Sequence, residues 1–177
     1  MRLIGLTGLS RSGKDTLAGF LQGHYFQRLA FADPLKDAAA ILLRRERWEM
    51  NGEQGFDREA VLPEWGFSTR HFLQVFGTEA MRNNFGQDFW LKHMRNRIGN
   101  GRYVITDCRF ENEAALVREL GGIIVEVKRP GCVKSSHVSD AGIQADRYVY
   151  NHSTLEHLKL EADYLARFTS RPAAQSA

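Results

Sequence analysis

The chain has 177 residues, of which 43% are hydrophobic and 25% are charged, and this is enough for the core of one globular domain. No apolar stretch reaches the roughly 18 to 20 residues of a transmembrane helix, and the apolar start is too short for a signal peptide, so we expect a cytosolic protein with no membrane partner. The two cysteines, Cys108 and Cys132, lack the spacing of a zinc site or a disulfide framework, and two buried free thiols are predicted.

Strands and helices are predicted from short apolar runs and from apolar residues three or four apart, respectively. In chain order they are strand 3–7, helix 17–21, strand 28–32, helix 35–45, helix 69–82, strand 103–106, helix 112–120, strand 123–127, strand 148–150 and a last helix after the capping residue Ser153. This alternation predicts an α/β fold with a parallel sheet covered on both faces. In such sheets ligands bind beyond the carboxyl ends of the strands.

The glycine-rich turn after the first strand has the sequence GLSRSGKDT over residues 8–16 and matches the P-loop pattern GxxxxGK. Its glycines allow backbone N–H groups to converge on the β-phosphate of ATP at a helix N-terminus. Lys14 would bridge the β- and γ-phosphates, and Arg11 would offset charge during transfer. The predicted ATP-binding residues are Gly8, Ser12, Gly13, Lys14, Asp15 and Thr16.

Position 15 departs from the P-loop pattern, because Asp15 stands where a serine or threonine usually binds Mg²⁺. A carboxylate also binds magnesium, directly or through water, so Asp15 and Thr16 are both candidate ligands. Asp15 would otherwise only cap the helix and interact favourably with its dipole.

A second polar site is predicted where the strand over 103–106 ends. Asp107 follows that strand in the manner of a Walker B carboxylate, and Arg109 lies two residues further on. Both are candidate catalytic residues, since an acid at this edge beside a P-loop can hold the acceptor or metal-bound water. A local ion pair between the two side chains is the alternative.

Several motifs together resemble the phage-type deoxynucleoside monophosphate kinases. They occur in the family's order, and they are the P-loop over 8–16, FADPLK over 31–36, LQVFGTE over 73–79, DFWL over 88–91, DCR over 107–109, SHVSDAG over 136–142 and NHSTLE over 151–156. The resemblance implies a three-layer α/β/α P-loop NTPase fold of the NMP-kinase type. It divides the single domain into a core at about 1–45 and 99–168, a helical acceptor-binding insert at about 46–98, a short lid at about 130–145 and a flexible tail at 169–177.

The same resemblance implies ATP-dependent phosphorylation of deoxynucleoside monophosphates with Mg²⁺ as cofactor, in the cytoplasm, or in the host cytoplasm if a phage encodes the chain. Arginine can hold the acceptor phosphate through two hydrogen bonds, and Gln74 can bind a base edge. Trp90 would either stack on the base or belong to the core. In the lid, Lys134 and His137 are candidates for phosphate contact. The implied acceptor-site residues are Lys36, Arg70, Gln74, Gly77, Thr78, Arg82, Trp90, Asp107 and Arg109.

Two alternatives to this function stay open on the sequence alone. One is a P-loop kinase for another small acceptor, such as phosphomevalonate or dephospho-coenzyme A, which would share the loop and the lobed architecture. The other is a nucleotide-regulated binding module, which the basic balance of +3 supports. No nucleic-acid-reading motif accompanies that charge, so the expected partners are ATP and a deoxynucleoside monophosphate, and not nucleic acid. A homodimer is left open.

Overall fold

The computed structural model describes residues 2–132 and 143–168. Up to residue 68 the elements are β1 (Arg2–Thr7), α1 (Lys14–Gln22), β2 (Gln27–Leu29), α2 (Asp33–Leu43), α3 (Arg47–Asn51), β3 (Val61–Leu62) and β4 (Phe67–Ser68). They are followed by α4 (Thr69–Gln74), a π-helical segment (Val75–Arg82), α5 (Asn83–Phe85), α6 (Phe89–Arg97), β5 (Arg102–Ile105), α7 (Glu111–Glu119), β6 (Ile123–Lys128), β7 (Arg147–Tyr150) and α8 (Leu155–Phe168). The chain divides into two compact units. The first consists of two chain segments, one up to Ala30 and one from Arg95 onwards, and the second is Phe31–Met94.

The first unit is built on a five-stranded sheet in the order β2, β5, β1, β6, β7, and every neighbouring pair is parallel. This confirms the predicted parallel sheet. Parallel strands buried on both faces need nearly continuous apolar sequence, which is why their runs could be recognised. Because all five strands point the same way, the segments that follow them meet at one edge of the sheet. Three of these segments are the loop over 8–13, residues 107–109 and Asn151.

Helices cover both faces of this sheet. Alternate residues of β1, Ile4 and Leu6, are fully buried in a cluster with Leu17 of α1 and Leu158 of α8. Gly5 points to the opposite face, where a Cβ would press against Val117 of α7. The sheet is therefore the middle of three layers, as predicted. Among the described residues, no helix is both long and apolar enough to cross a bilayer.

The second unit has a separate small core. Ala39 and Leu43 of α2 pack with Met50 and Leu62, and four partly buried side chains complete the cluster: Phe56, Phe67, Phe72 and Leu73. The unit is mostly helical, and it also contains the antiparallel hairpin of β3 and β4, which was not predicted. The predicted helix over 69–82 is present, and from Val75 it changes from α- to π-helical hydrogen bonding.

Candidate active site

The loop between β1 and α1 has the backbone of an anion cradle. Gly8 and Gly13 have φ angles of +128° and +105°, which glycine adopts far more easily than other residues. A Cβ at Gly8 would overlap the carbonyl oxygen of Val127, and a Cβ at Gly13 would overlap Nδ2 of Asn151. Both glycines are therefore required by their φ angles and by the close approach of neighbouring chain segments.

Lys14 begins α1 and folds back over the loop. Its Nζ donates hydrogen bonds to the carbonyl oxygens of Gly8 at 2.8 Å and Leu9 at 2.7 Å. Ser12 is buried, and its Oγ has no hydrogen-bond partner among the described residues. This loop suits a phosphate group, because it combines a buried hydroxyl that has no partner among the described residues, a helix N-terminus and a lysine.

The candidate magnesium ligands Asp15 and Thr16 lie exposed in the first turn of α1, and Arg11 is exposed within the loop. Among residues 2–132 and 143–168, no group of three or more histidine, cysteine or acidic side chains could hold a metal. Proteins usually bind Mg²⁺ through one or two carboxylates, while water and substrate phosphates complete its shell.

Asp107, Cys108 and Arg109 follow β5, next to the P-loop strand. The backbone N–H of Cys108 donates to Leu6 O of β1 at 3.1 Å, so this turn is attached to the central strand. Asp107 is partly buried and Arg109 is exposed. The structure thus brings Asp107, Arg109 and the phosphate loop, which is the P-loop over residues 8–16, to the same edge of one sheet.

The Cys108 thiol lies against the sheet and is fully buried. Burial raises its pKa well above the usual range, and the nearby carboxylates of Asp107 and Glu113 raise it further, so the group is a neutral thiol at physiological pH. It therefore packs as a small apolar side chain. The prediction of two buried thiols holds for Cys108, whereas Cys132 is partly exposed.

Glu113, in the first turn of α7, contacts this turn and was not predicted. Its side chain is only 3% exposed, and its Oε2 accepts the backbone N–H groups of Arg109 at 2.8 Å and Phe110 at 3.2 Å. It thereby caps α7 and fixes the backbone that carries Arg109. The signal was present in the sequence, because a glutamate three residues after the N-cap residue, here Phe110, is a typical capping position.

We expect Glu113→Ala to destabilise the fold by about 1 to 2 kcal/mol, because two backbone donors lose their acceptor. Glu113→Gln keeps an oxygen in place and should retain most of that stability. Urea unfolding of both variants measures the effect, with Asn112→Ala, an exposed neighbour on α7, as the matched control. Equal stability of Glu113→Ala and the control would contradict the capping role.

The other predicted acceptor-site residues lie in the second unit. Lys36 of α2 donates to Oδ1 of Asn51 at 3.0 Å, and Arg70 of α4 forms an ion pair with Glu59. Gln74 is the exposed last residue of α4. The remaining three predicted residues before Trp90 lie in the π-helical segment: Gly77, Thr78 and Arg82.

Trp90 has the environment of a core residue. It is 7% exposed, and its indole Nε1 donates to Gly77 O at 3.0 Å. The Cδ2 of Leu35 lies 2.9 Å from where a Cβ of Gly77 would be, so this position also has no room for a larger residue. Trp90 and Leu35 together hold the π-helical segment at Gly77. Isolated π-helical turns occur frequently at functional sites.

The lid residues Lys134 and His137 lie outside the described residues, as do most of the predicted lid over 130–145 and the tail over 169–177.

A family model for deoxynucleotide monophosphate kinases matches residues 54–161, which is more than half of the chain. The chain belongs to the deoxynucleotide monophosphate kinase family. A relative from Acanthamoeba polyphaga mimivirus, whose name places it in this family, is 32% identical over 88% of this chain and 91% of its own. The deoxynucleotide monophosphate kinase of Enterobacteria phage T4 is 24% identical over 89% of this chain and 95% of its own. The family recognised from the sequence motifs is thus confirmed.

Solved structures agree on the fold. A dephospho-CoA kinase from Campylobacter jejuni is similar with a TM-score of 0.54 and 15% identity, over 94% of this chain and 96% of that one. A second similar structure, TT1252 from Thermus thermophilus, has a TM-score of 0.52 and 19% identity, over 95% of this chain and 98% of that one. These likenesses confirm the predicted P-loop kinase fold.

Proposed function

We propose that this protein transfers the γ-phosphate of ATP to the phosphate of a deoxynucleoside monophosphate and releases a deoxynucleoside diphosphate and ADP. The observation that carries the proposal is the phosphate cradle of Gly8, Gly13 and Lys14 at the carboxyl edge of the sheet, in a chain of this kinase family. We further propose that the reaction takes place in the cytoplasm.

In the proposed reaction an oxygen of the acceptor phosphate attacks the γ-phosphorus in line with the bond that breaks. The new bond joins that oxygen to phosphorus, and the bridging oxygen leaves with its electron pair on ADP. A phosphate oxygen is already nucleophilic, so the rate depends on positioning and on charge stabilisation. Lys14 neutralises charge on the transferring group, Arg11 and Arg109 neutralise charge on donor and acceptor, and Asp107 orients the acceptor.

For the acceptor, we propose that residues 46–98 supply the binding segment. Arg70 holds the phosphate through its guanidinium group, and exposed Gln74 offers both a donor and an acceptor to a base edge. Trp90 contributes by holding Gly77 in the π-helical segment. Lys36, Thr78 and Arg82 complete the proposed set.

Mg²⁺ would be held by Asp15 or Thr16, together with phosphate oxygens and water. When bound, it would offset negative charge on the donor phosphates. The side chains offer oxygen ligands only, as this hard cation prefers.

If Asp15 binds the metal, Asp15→Asn should lower activity about tenfold at limiting Mg²⁺ and much less at saturating Mg²⁺, because excess metal compensates for weaker binding. A role limited to the dipole of α1 would cost roughly 0.3 to 1 kcal/mol of stability at every metal concentration. Magnesium titrations of the activity of both forms distinguish these outcomes. Parallel titration curves would contradict metal binding by Asp15.

The proposed function is tested by mixing the protein with ATP, Mg²⁺ and one acceptor at a time and measuring ADP formation. The acceptors are the four common deoxynucleoside monophosphates, the ribonucleotides, dephospho-coenzyme A and phosphomevalonate. We expect ADP release that depends on a deoxynucleoside monophosphate. ADP release with dephospho-coenzyme A or phosphomevalonate, and with no nucleoside monophosphate, would instead indicate a P-loop kinase for another small acceptor.

A further inference from the structure

Asn151 reaches the phosphate loop from a distant part of the sequence. It follows β7 directly, and its backbone N–H donates to Lys128 O of β6 at 2.7 Å, which fixes its position at the sheet edge. Its side-chain Nδ2 donates to Ser12 O at 2.9 Å, across 139 positions of sequence. The same Nδ2 occupies the space that a Cβ of Gly13 would need. Asn151 therefore packs against the last two residues of the loop before Lys14.

The bond to Ser12 O also sets the direction of a backbone donor. The peptide group between Ser12 and Gly13 is planar and trans, so its N–H points opposite to its carbonyl oxygen. With the oxygen directed to Asn151, the Gly13 N–H is directed away from Asn151. No acceptor for this N–H is found within the described part of the chain. It is an available donor at the start of α1, beside Lys14.

We propose that Asn151 is a positioning residue of the phosphate loop, which holds the Ser12–Gly13 peptide so that the Gly13 N–H is presented to the β-phosphate of the nucleotide. This inference rests on the proposed ATP binding. It gives Asn151 a role in binding ATP and none in binding the acceptor. It also explains why Gly13 cannot carry a side chain, since Asn151 fills that space. The loop is thus held in its binding conformation before the nucleotide arrives, which lowers the ordering cost of binding.

The test compares ligands with and without a β-phosphate. In Asn151→Asp, which has nearly the same shape, an acceptor oxygen replaces the donor and faces Ser12 O. We expect calorimetric titration to show about tenfold weaker ADP binding, equivalent to 1.4 kcal/mol, with adenosine binding unchanged. Asn100→Ala, an exposed asparagine ahead of β5 in the same unit, is the matched control and should bind both ligands normally. Unchanged ADP binding by Asn151→Asp, or equal weakening for ADP and adenosine, would overturn the inference.

Two further measurements do not depend on this one variant. In the unmodified protein, the amide resonance of Gly13 should shift when ADP is added and stay in place with adenosine; no shift with ADP would overturn the inference. In Asn151→Ala, the KM for ATP should rise while the KM for the acceptor stays constant, and a parallel rise of both would indicate general loosening instead. Failure of the unmodified protein to bind ADP at all would overturn the proposed function as well.

Discussion

Lys14→Ala should lower kcat about a thousandfold while lowering the free energy of unfolding by only about 1 kcal/mol, because the two carbonyl acceptors can turn to water. The ammonium group now bonds to the carbonyl oxygens of Gly8 and Leu9, which places it over the phosphate loop. Its contact with the γ-phosphoryl group would strengthen as charge develops, so the loss falls on the transition state more than on ATP binding. Steady-state kinetics with urea unfolding of the same preparation measures both quantities.

Lys159→Ala is the matched control for Lys14, because this lysine is exposed on α8 of the same unit. Its kcat should equal that of the unmodified protein. If Lys14→Ala retained near-normal kcat, the phosphate loop would not be where transfer takes place.

The second large effect is expected for Arg70→Ala, which should change the KM for the acceptor and not the KM for ATP. Loss of a guanidinium that holds the acceptor phosphate should raise the KM for the acceptor about a hundredfold, or about 2.7 kcal/mol, and leave the KM for ATP within about twofold. Initial rates measured while each substrate is varied in turn separate the two constants. Equal increases in both would contradict the assignment of Arg70 to the acceptor.

Glu59→Gln provides a control for the Arg70 experiment, because Glu59 is the ion-pair partner of Arg70 in the second unit. Both side chains are substantially exposed, at 45% and 63%, so the pair itself contributes little to stability. Removing the competing carboxylate should keep or lower the KM for the acceptor. A rise similar to that of Arg70→Ala would mean that the ion pair, and not the arginine alone, shapes this site.

The elements that could be predicted are those whose signal is local. The strands around Ile4 and Val104 are continuous apolar runs. The P-loop glycines mark a turn whose sequence pattern is uncommon outside phosphate-binding loops. The change to π-helical bonding at Val75 could not be predicted, because hydrogen bonds from residue i to i+5 or to i+4 leave nearly the same apolar pattern over eight residues. The hairpin strands β3 and β4 have two residues each, too few for a recognisable alternation.

The contacts that organise the site were harder to predict than its members. The bond from Asn151 to Ser12 joins positions 139 residues apart, and no local pattern contains that information. Glu113 carried a local capping signal, but its effect on Arg109 depends on the path of the turn after β5. For Trp90 the sequence left stacking and core packing open, and the hydrogen bond to Gly77 O favours packing.

The most direct test of the central claim is to identify the product that receives the labelled phosphate. The protein is incubated with Mg²⁺, ATP labelled at the γ-phosphate and a single deoxynucleoside monophosphate, and the nucleotides are separated. We predict label in the corresponding deoxynucleoside diphosphate, formed in equal amount with ADP and about a thousandfold more slowly with Lys14→Ala. Label released only as inorganic phosphate, or ADP formed without any labelled diphosphate for every monophosphate, would contradict the account.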